Sequence, residues 1–145
     1  MAPFLIQGGV HDDSRGKIAF VNDFDMAKVQ RFYAISPRDT AIVRAWQGHK
    51  IESKWFYVVK GSFLVRLIKI DNWESPSLHL SPTEFILEAS NSQVLYIPGG
   101  YANGFKALEA DSTLMVFSDC GLYQTAQDDY RFPADYWFEW AKLEV

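Results

Sequence analysis

Short runs of β-branched and aromatic residues, separated by turn residues, follow one another along most of the chain, and this pattern limits the possible folds most. The runs cover residues 17–21, 28–35, 42–46, 54–59, 62–70, 84–88, 93–97, 102–108 and 113–118. Phe63, Val65 and Leu67 alternate with other residues, as is typical of a strand with one buried face. Many short strands at regular spacing predict an all-β sandwich or barrel.

The chain is interpreted as a single domain, residues 1–145, because it contains neither a linker nor an internal repeat. Its length is enough to bury a hydrophobic core. One helix is expected near the end, over residues 134–142. Its apolar stripe, which would seal one side of the sheets, consists of Tyr136, Trp137, Trp140 and Leu143.

Charge and cysteine content exclude several functions. A formal net charge of −4 argues against a nucleic-acid binder, although it leaves room for a pair of arginines that hold one diphosphate. The single cysteine, Cys120, forbids an internal disulfide and fits a reducing compartment. Neither a signal peptide nor a run of the roughly 18–20 apolar residues that cross a bilayer is visible. We therefore expect a soluble cytoplasmic protein that binds neither nucleic acid nor membrane.

Two segments carry polar residues at strand spacing in apolar surroundings. The first is VRAWQGHKIESKWFYVVKGSF, residues 43–63, and the second is LYIPGGYANGF, residues 95–105. Strand residues two apart point to the same side, so Gln47 and His49 are expected to face the interior together. Lys54 would arrive from the next strand and Asn103 from across. A lysine beside an apolar run is costly unless it has a partner, which favours a functional role for Lys54.

These segments resemble the two cupin motifs: a strand with alternating polar residues, a β-hairpin that ends at a glycine, and a Pro-x-Gly turn before a second strand. The resemblance implies a cupin (jelly-roll) β-barrel with a short C-terminal helical segment. A metal-binding cupin has two histidines and a carboxylate in the first motif and a histidine in the second. Here those positions hold Gln47, His49, Lys54 and Asn103. One imidazole, two amides and an ammonium do not form a first shell for zinc, iron or manganese, so no metal is expected and a metal-dependent cupin enzyme is the least favoured hypothesis.

Within the cupins, the chain resembles the dTDP-4-dehydrorhamnose 3,5-epimerases and the dTDP-sugar 3,4-ketoisomerases over residues 13–135. The opening segment Asp13-Ser14-Arg15-Gly16 looks like the family's Asp-x-Arg-Gly. Arg44 lies three residues before the family's catalytic-histidine position, and Lys54 falls where the epimerases have an active-site lysine. Residues 97–105 are similar to the epimerases' Ile-Pro-x-Gly-Phe-Ala-His-Gly-Phe, and the tail 128–137 resembles the segment that closes the family's site.

The resemblance implies a metal-independent epimerase or ketoisomerase in the biosynthesis of surface polysaccharide. Its substrate would be a nucleoside-diphosphate 4-keto-6-deoxy sugar, with dTDP as the expected nucleotide, and the reaction would pass through an enolate without a cofactor. The family also implies a homodimer. The implied site residues are catalytic His49, Lys54 and Tyr123 and substrate-binding Arg15, Arg44, Gln47 and Asn103.

In this interpretation His49 or Tyr123 moves protons, Lys54 holds the enolate, and Arg15 and Arg44 bind the diphosphate. Simpler roles stay open for several of them. His49 is equally compatible with packing at the barrel mouth, Tyr123 with an exposed surface position, and the two arginines with surface salt bridges.

Two replacements leave the chemistry open. Gln47 stands where both families have the histidine base, and an amide does not accept a proton at neutral pH. Asn103 replaces the second-motif histidine of the epimerases. The alternative hypothesis is therefore a non-catalytic cupin module that binds a nucleotide sugar or a partner protein. Replacing Lys54 by alanine discriminates between the two, because an enzyme would lose far more turnover than affinity.

Overall fold

The structure is a computed structural model in which residues 1–143 are described. Over these residues it contains two five-stranded sheets and a separate two-stranded hairpin. The strands are β1 Phe4–Gln7, β2 Gly9–Asp13, β3 Gly16–Phe20, β4 Arg31–Ile35, β5 Val43–His49, β6 Lys54–Lys60, β7 Ser62–Lys69, β8 Thr83–Glu88, β9 Gln93–Ile97, β10 Tyr101–Ala107, β11 Thr113–Ser118 and β12 Tyr130–Arg131. One short helix, α1, spans Leu122–Ala126, and 3₁₀ turns span Ala89–Asn91 and Trp140–Leu143.

Most neighbouring strands within a sheet are distant in the sequence. The first sheet has the order β1-β9-β6-β11-β4 and the second the order β12-β5-β10-β7-β8, whereas β2 and β3 form the hairpin. The chain therefore crosses repeatedly between two facing antiparallel sheets, which is a jelly-roll arrangement. This confirms the predicted all-β jelly-roll fold, and each of the strands expected from the sequence is present.

The interior between the sheets is filled by residues that alternate along the strands. In β7, Phe63, Val65 and Leu67 are all 0% exposed, as their alternation predicted. They belong to a cluster with Phe56, Val58, Leu87, Leu95, Ile97, Tyr101, Phe105, Ala107, Leu114 and Val116. Because this apolar cluster joins the sheets, the polar side chains on the same inward faces are held in defined positions.

The C-terminal segment does not form the helix expected over residues 134–142. Residues 134–139 form turns and bends, and the helical part is a single 3₁₀ turn at Trp140–Leu143. Trp137 has a left-handed φ of 63°, which interrupts a regular helix. Aromatic residues have modest helix propensity, so packing against the sheet outweighs it. The side chain of Leu143, a member of the expected stripe, lies outside the described residues.

The same segment nevertheless covers the outer face of the second sheet. The rings of Trp137 and Trp140 lie 5.4 and 5.6 Å from the ring of Trp46, measured between centroids. Trp46 Nε1 donates a 2.9 Å hydrogen bond to the backbone oxygen of Tyr136. The sealing role is thus confirmed for Tyr136, Trp137 and Trp140, and these residues support β5 from outside.

The β2–β3 hairpin is largely uncovered by the rest of the chain. Val10, Ile18 and Phe20 are 40%, 61% and 37% exposed. The sequence did not predict β1, β2 or β12, because these strands are short and lack a clear alternation. Within the described part of the chain, no helix is long and apolar enough to span a membrane.

Candidate active site

A cavity of about 520 Å³ opens between the two sheets. Its lining residues are Tyr33, Ile35, Val43, Arg44, Ala45, Trp46, Gln47, Lys54, Phe56, Asn103, Phe105, Val116, Arg131 and Phe132. Arg44, Lys54 and Arg131 are cations, and no aspartate or glutamate in the described chain lines the cavity. Small-molecule sites commonly have volumes in this range, and the excess positive charge favours an anionic ligand.

A β-bulge in β5 determines which residues face the cavity. The register between β5 and β10 shifts between Asn103 and Gly104, so that Trp46 is left without a partner on β10. In a regular strand Arg44 and Gln47, three residues apart, would face opposite sides. The extra residue brings both onto the inward face, where both line the cavity.

Lys54 of β6 faces the cavity from the first sheet without a carboxylate partner. It is 3% exposed, and its ammonium donates hydrogen bonds to the Tyr33 hydroxyl at 3.2 Å and to Gln47 Oε1 at 3.1 Å. Both acceptors are neutral, and no ion pair in residues 1–143 joins Lys54 to a carboxylate. Burial lowers the pKa of Lys54 from 10.5 to about 8. The structure thus places this lysine inside, as its apolar surroundings in the sequence indicated.

Tyr33 of β4 is a cavity residue that the sequence did not single out. It pairs with Val116, a member of the interior cluster, and its side chain lines the cavity. Burial raises the pKa of the Tyr33 hydroxyl above 10.0, so the phenol is protonated at neutral pH. Phe32 and Tyr33 are both aromatic, so the sequence predicts a strand there without showing which of the two faces inward.

Gln47 connects Lys54 to the last strand of the second sheet. Gln47 Nε2 donates to Asp129 Oδ1 at 3.2 Å, while its Oε1 accepts from Lys54. Arg131 of β12 donates to the Asp129 carboxylate through Nε at 2.8 Å and Nη2 at 3.2 Å. These bonds fix which end of the Gln47 amide points to Lys54. Asn103 of β10 is 3% exposed and also lines the cavity.

His49 lies on the inward face of β5 but does not line the cavity, which corrects its expected position beside the substrate. It is 2% exposed, and its Nδ1 lies 2.7 Å from the backbone oxygen of Asp128 and 3.4 Å from Glu52 Oε1. The carbonyl contact assigns the proton to Nδ1. Burial, followed by the nearby charge of Lys54, lowers the pKa of His49 below 6.5. The buried Nε2 has no hydrogen-bond partner among the described residues.

His49 belongs to a set of internal polar residues that we call the buried polar cluster: Arg31, His49, Glu52, Ser118 and Asp128. The fully buried carboxylate of Glu52 accepts a 2.6 Å hydrogen bond from Ser118 and lies 3.7 Å from Arg31 Nη2. The carboxylate of Asp128 accepts three hydrogen bonds, at 2.8, 2.9 and 2.9 Å, from the backbone N–H groups of residues 50–52. The cluster therefore ties the turn after β5 to the segment before β12.

Two further residues implied by the sequence lie away from the cavity. Arg15 is in the turn between β2 and β3, where its side chain is 84% exposed and pairs with Asp13 at 2.7 Å. Tyr123 is on α1 and is 79% exposed. Neither lines the cavity of its own chain, so the structure brings together Arg44, Gln47, Lys54 and Asn103 but not Arg15, His49 and Tyr123.

The residues at the cupin metal positions do not fit a metal ion. Within residues 1–143, no group of three or more histidine, cysteine, aspartate or glutamate side chains is placed to hold one. His49 Nδ1 already contacts a carbonyl oxygen, and the ammonium of Lys54 faces the space that a cation would need.

The comparison with known proteins identifies relatives along almost the whole chain. A family model described as dTDP-4-dehydrorhamnose 3,5-epimerase matches residues 3–140. Agl13 of Haloferax volcanii, named a probable low-salt glycan biosynthesis epimerase, is 29% identical over 133 residues. That match covers 87% of this chain and 83% of the relative.

Several solved structures have a similar fold. The dTDP-4-dehydrorhamnose 3,5-epimerase of Sulfolobus tokodaii has a TM-score of 0.76 at 25% identity, covering 97% of this chain and 81% of that one. The rmlC epimerase of Mycobacterium tuberculosis has a TM-score of 0.76 at 19% identity, with coverages of 96% and 74%. The 3,4-ketoisomerase QdtA of Thermoanaerobacterium thermosaccharolyticum, in complex with TDP-4-keto-6-deoxyglucose, has a TM-score of 0.68 at 22% identity, with coverages of 99% and 96%.

Proposed function

The chain belongs to the dTDP-4-dehydrorhamnose 3,5-epimerase family of isomerases, and from this premise we propose that it isomerises a dTDP-linked 4-keto-6-deoxy sugar through an enolate, without metal or cofactor. The observation that carries the proposal is the charge of the cavity, where three cations meet no lining carboxylate among the described residues. A diphosphate and an enolate are the two anions that such a substrate presents, and preorganised cations stabilise both.

The two arginines of the cavity are suited to the diphosphate. Arg44 and Arg131 both line it, and a guanidinium donates paired hydrogen bonds to phosphate oxygens. Gln47 and Asn103 would donate to or accept from the sugar hydroxyls. A volume of about 520 Å³ accommodates one hexose with its phosphates towards the opening.

The donors of the first sheet are suited to the ketone. A ketone makes the adjacent C–H bonds acidic, and the enolate forms more easily when its oxygen receives hydrogen bonds. Lys54 and Tyr33 are neighbours in the cavity and supply an N–H and an O–H. Because the substrate itself stabilises the carbanion in this way, the reaction needs no other electron sink.

We expect the enzyme to work as a homodimer in the cytoplasm, in the biosynthesis of a surface polysaccharide. The apolar side chains of the β2–β3 hairpin favour contact with a second copy. Arg15, at the tip of this hairpin, would then bind the diphosphate in the site of the other subunit. The active subunits of a mixture of Arg15→Ala and Lys54→Met chains test this idea, because only mixed dimers would contain one intact site.

The function is tested by proton NMR of the protein with dTDP-4-keto-6-deoxyglucose in D₂O. Loss of a sugar proton signal next to the ketone, faster than in buffer alone, supports enolisation. Binding of dTDP without exchange at any carbon would contradict it and support the second candidate, a non-catalytic module that binds a nucleotide sugar. That candidate is favoured by one observation, the amide of Gln47 at the position of the family's base. For such a module, Lys54→Ala would change affinity alone.

A further inference from the structure

The cavity has two chemically different walls. On the wall of the first sheet, Tyr33 comes from β4 and Lys54 from β6. The polar residues on the wall of the second sheet are Arg44, Gln47, Asn103 and Arg131. Amides and guanidinium groups neither gain nor lose a proton near neutral pH, whereas amines and phenols do so within reach of it. Among the described lining residues, the groups able to carry a proton therefore lie on one wall.

These two groups also contact each other. Lys54 Nζ donates to the Tyr33 hydroxyl at 3.2 Å, so both would meet the same face of a sugar that enters the cavity. The hydrogen bond from Lys54 to Gln47 Oε1 holds the amine at this position. Since Lys54 has no carboxylate partner, a fraction of its side chains is neutral near pH 7 and able to accept a proton.

We propose that Lys54 and Tyr33 transfer protons from one side of the sugar, so that the reaction moves the ketone from C4 to C3 and does not epimerise C3 and C5. This rests on the proposed function and narrows it. Epimerisation with a fixed substrate removes a proton on one face and returns it on the other, which needs a proton carrier on each wall. Ketone transfer needs only that a proton leave C3 and reach C4, which one group on one wall accomplishes.

The steps balance without another reactant. The amine of Lys54 takes the proton from C3 while the hydroxyl of Tyr33 gives its proton to O4, and the C3–C4 enediol forms. The phenolate of Tyr33 then takes the proton from O3, and the ammonium of Lys54 returns its proton to C4. The C3–H and O3–H bonds break, the C4–H and O4–H bonds form, and both residues return to their starting states. Because the proton arrives on the face it left, a gluco substrate gives the galacto configuration at C4.

The first experiment follows dTDP-4-keto-6-deoxyglucose by NMR with the full-length protein. We expect a C3 ketone as product, deuterium from D₂O at the exchanging C3 and C4 positions, and none at C5. In H₂O the product should show the small H4–H5 coupling of the galacto configuration. Deuterium at C5, or an inverted C3 with the ketone still at C4, would overturn the inference while leaving the proposed function intact. Absence of exchange at every carbon would instead refute the proposed function.

Substitutions separate a proton carrier from a mere cation. Lys54→Arg keeps the positive charge but cannot accept a proton, so we expect product formation to fall at least ~100-fold, with dTDP affinity changed only a few-fold. Lys60→Arg, at the exposed end of the same strand, is the matched control. Activity of Lys54→Arg within about tenfold of wild type would overturn the inference, because Lys54 would then act through its charge alone. Tyr33→Phe should lower ketone transfer more than it lowers exchange at C3.

His49 on β5 provides the decisive rival, because it comes from the second sheet. If His49→Gln abolishes exchange and Lys54→Arg does not, the base belongs to the opposite wall and the inference fails. The pH profile gives an independent readout. The wild-type rate should rise with pH to an inflection near the Lys54 pKa of about 8. Gln47→Glu places a carboxylate beside Lys54, so the inflection should move up by about one unit or more. An inflection unaffected by Gln47→Glu would also count against Lys54.

Discussion

Two regions of the interior, which meet on strand β5, treat their polar groups in opposite ways. Gln47 lines an open cavity with Lys54, Arg44 and Arg131, where no described carboxylate lines the wall. His49, two residues on, joins the buried polar cluster, in which its neighbours are satisfied within the chain. Both side chains face inward, and both regions are charged.

The difference lies in what neutralises the charge. In the buried polar cluster, Glu52 lies near Arg31 and accepts from Ser118, and Asp128 accepts three backbone hydrogen bonds. In the cavity, the cation of Lys54 has only neutral acceptors. A region that satisfies its own charges maintains structure, whereas a region with unmatched charge is prepared for a ligand that brings the opposite sign.

The largest expected effect is on the stability of the buried polar cluster. Asp128→Ala leaves three backbone N–H groups without their acceptor, so we expect a loss of about 4 kcal/mol in the free energy of unfolding. Asp129→Ala, the neighbouring and 33% exposed aspartate, is the control and should cost less than about 1 kcal/mol. Urea denaturation followed by tryptophan fluorescence measures both. Equal losses for the two variants would contradict the division into two regions.

The second effect has the opposite sign and belongs to the cavity. Lys54→Met removes a buried charge, so we expect a gain of about 3 kcal/mol at pH 7, together with loss of activity. Because the pKa of Lys54 falls from 10.5 unfolded to about 8 folded, the unfolded chain binds more protons between these values. Wild-type stability should therefore recover relative to Lys54→Met as the pH rises from 8 to 10.5. A pH-independent difference would show that Lys54 is not strained by burial.

The third effect concerns the ligand that matches the cavity charge. Arg131→Ala should weaken dTDP binding about tenfold, which corresponds to about 1.4 kcal/mol, because one guanidinium contact with phosphate is lost. Its removal should change stability little. Arg38→Ala, an exposed arginine outside the cavity lining, serves as the control. Isothermal titration calorimetry with dTDP measures both affinities, and an unchanged affinity for Arg131→Ala would place the diphosphate elsewhere.

The smallest effect is the acid sensitivity that His49 contributes. Its pKa is lowered by burial, so the unfolded chain binds a proton more readily than the folded one. This term leaves stability intact above pH 6.5 and reduces it as the pH falls below that value. Wild type should therefore lose more thermal stability than His49→Gln between pH 7.5 and pH 5.5. The melting temperatures of the two proteins at the two pH values provide the measurement, and parallel losses would exclude His49 as the source.

The fold could be predicted from the sequence because each main strand carries its own alternation of apolar residues. Phe63, Val65 and Leu67 show this well, since all three are 0% exposed. Tyr130–Arg131 could not be found in the same way, because two residues have no period. That strand exists through its pairing with Gln47 and Gly48, a contact about 80 positions away along the chain.

The site was predictable to the extent that period determines facing. Lys54, Gln47 and Asn103 line the cavity as the two-residue spacing indicated. The same rule placed His49 on the correct face, but a period says nothing about depth, and His49 lies beyond the cavity in the buried polar cluster. Tyr33 escaped notice because neighbouring aromatic residues leave the phase of the strand undetermined.

The bulge at Trp46 has a consequence for how such a site evolves. Arg44 and Gln47 both face the cavity only because β5 contains one extra residue between them. Point substitutions exchange the chemistry inside this frame, as Gln47 and Asn103 illustrate at the family's histidine positions. Deletion of a single residue would restore regular pairing and turn Arg44 out of the cavity. The lineage is therefore free to vary the composition of β5 but bound to keep its length.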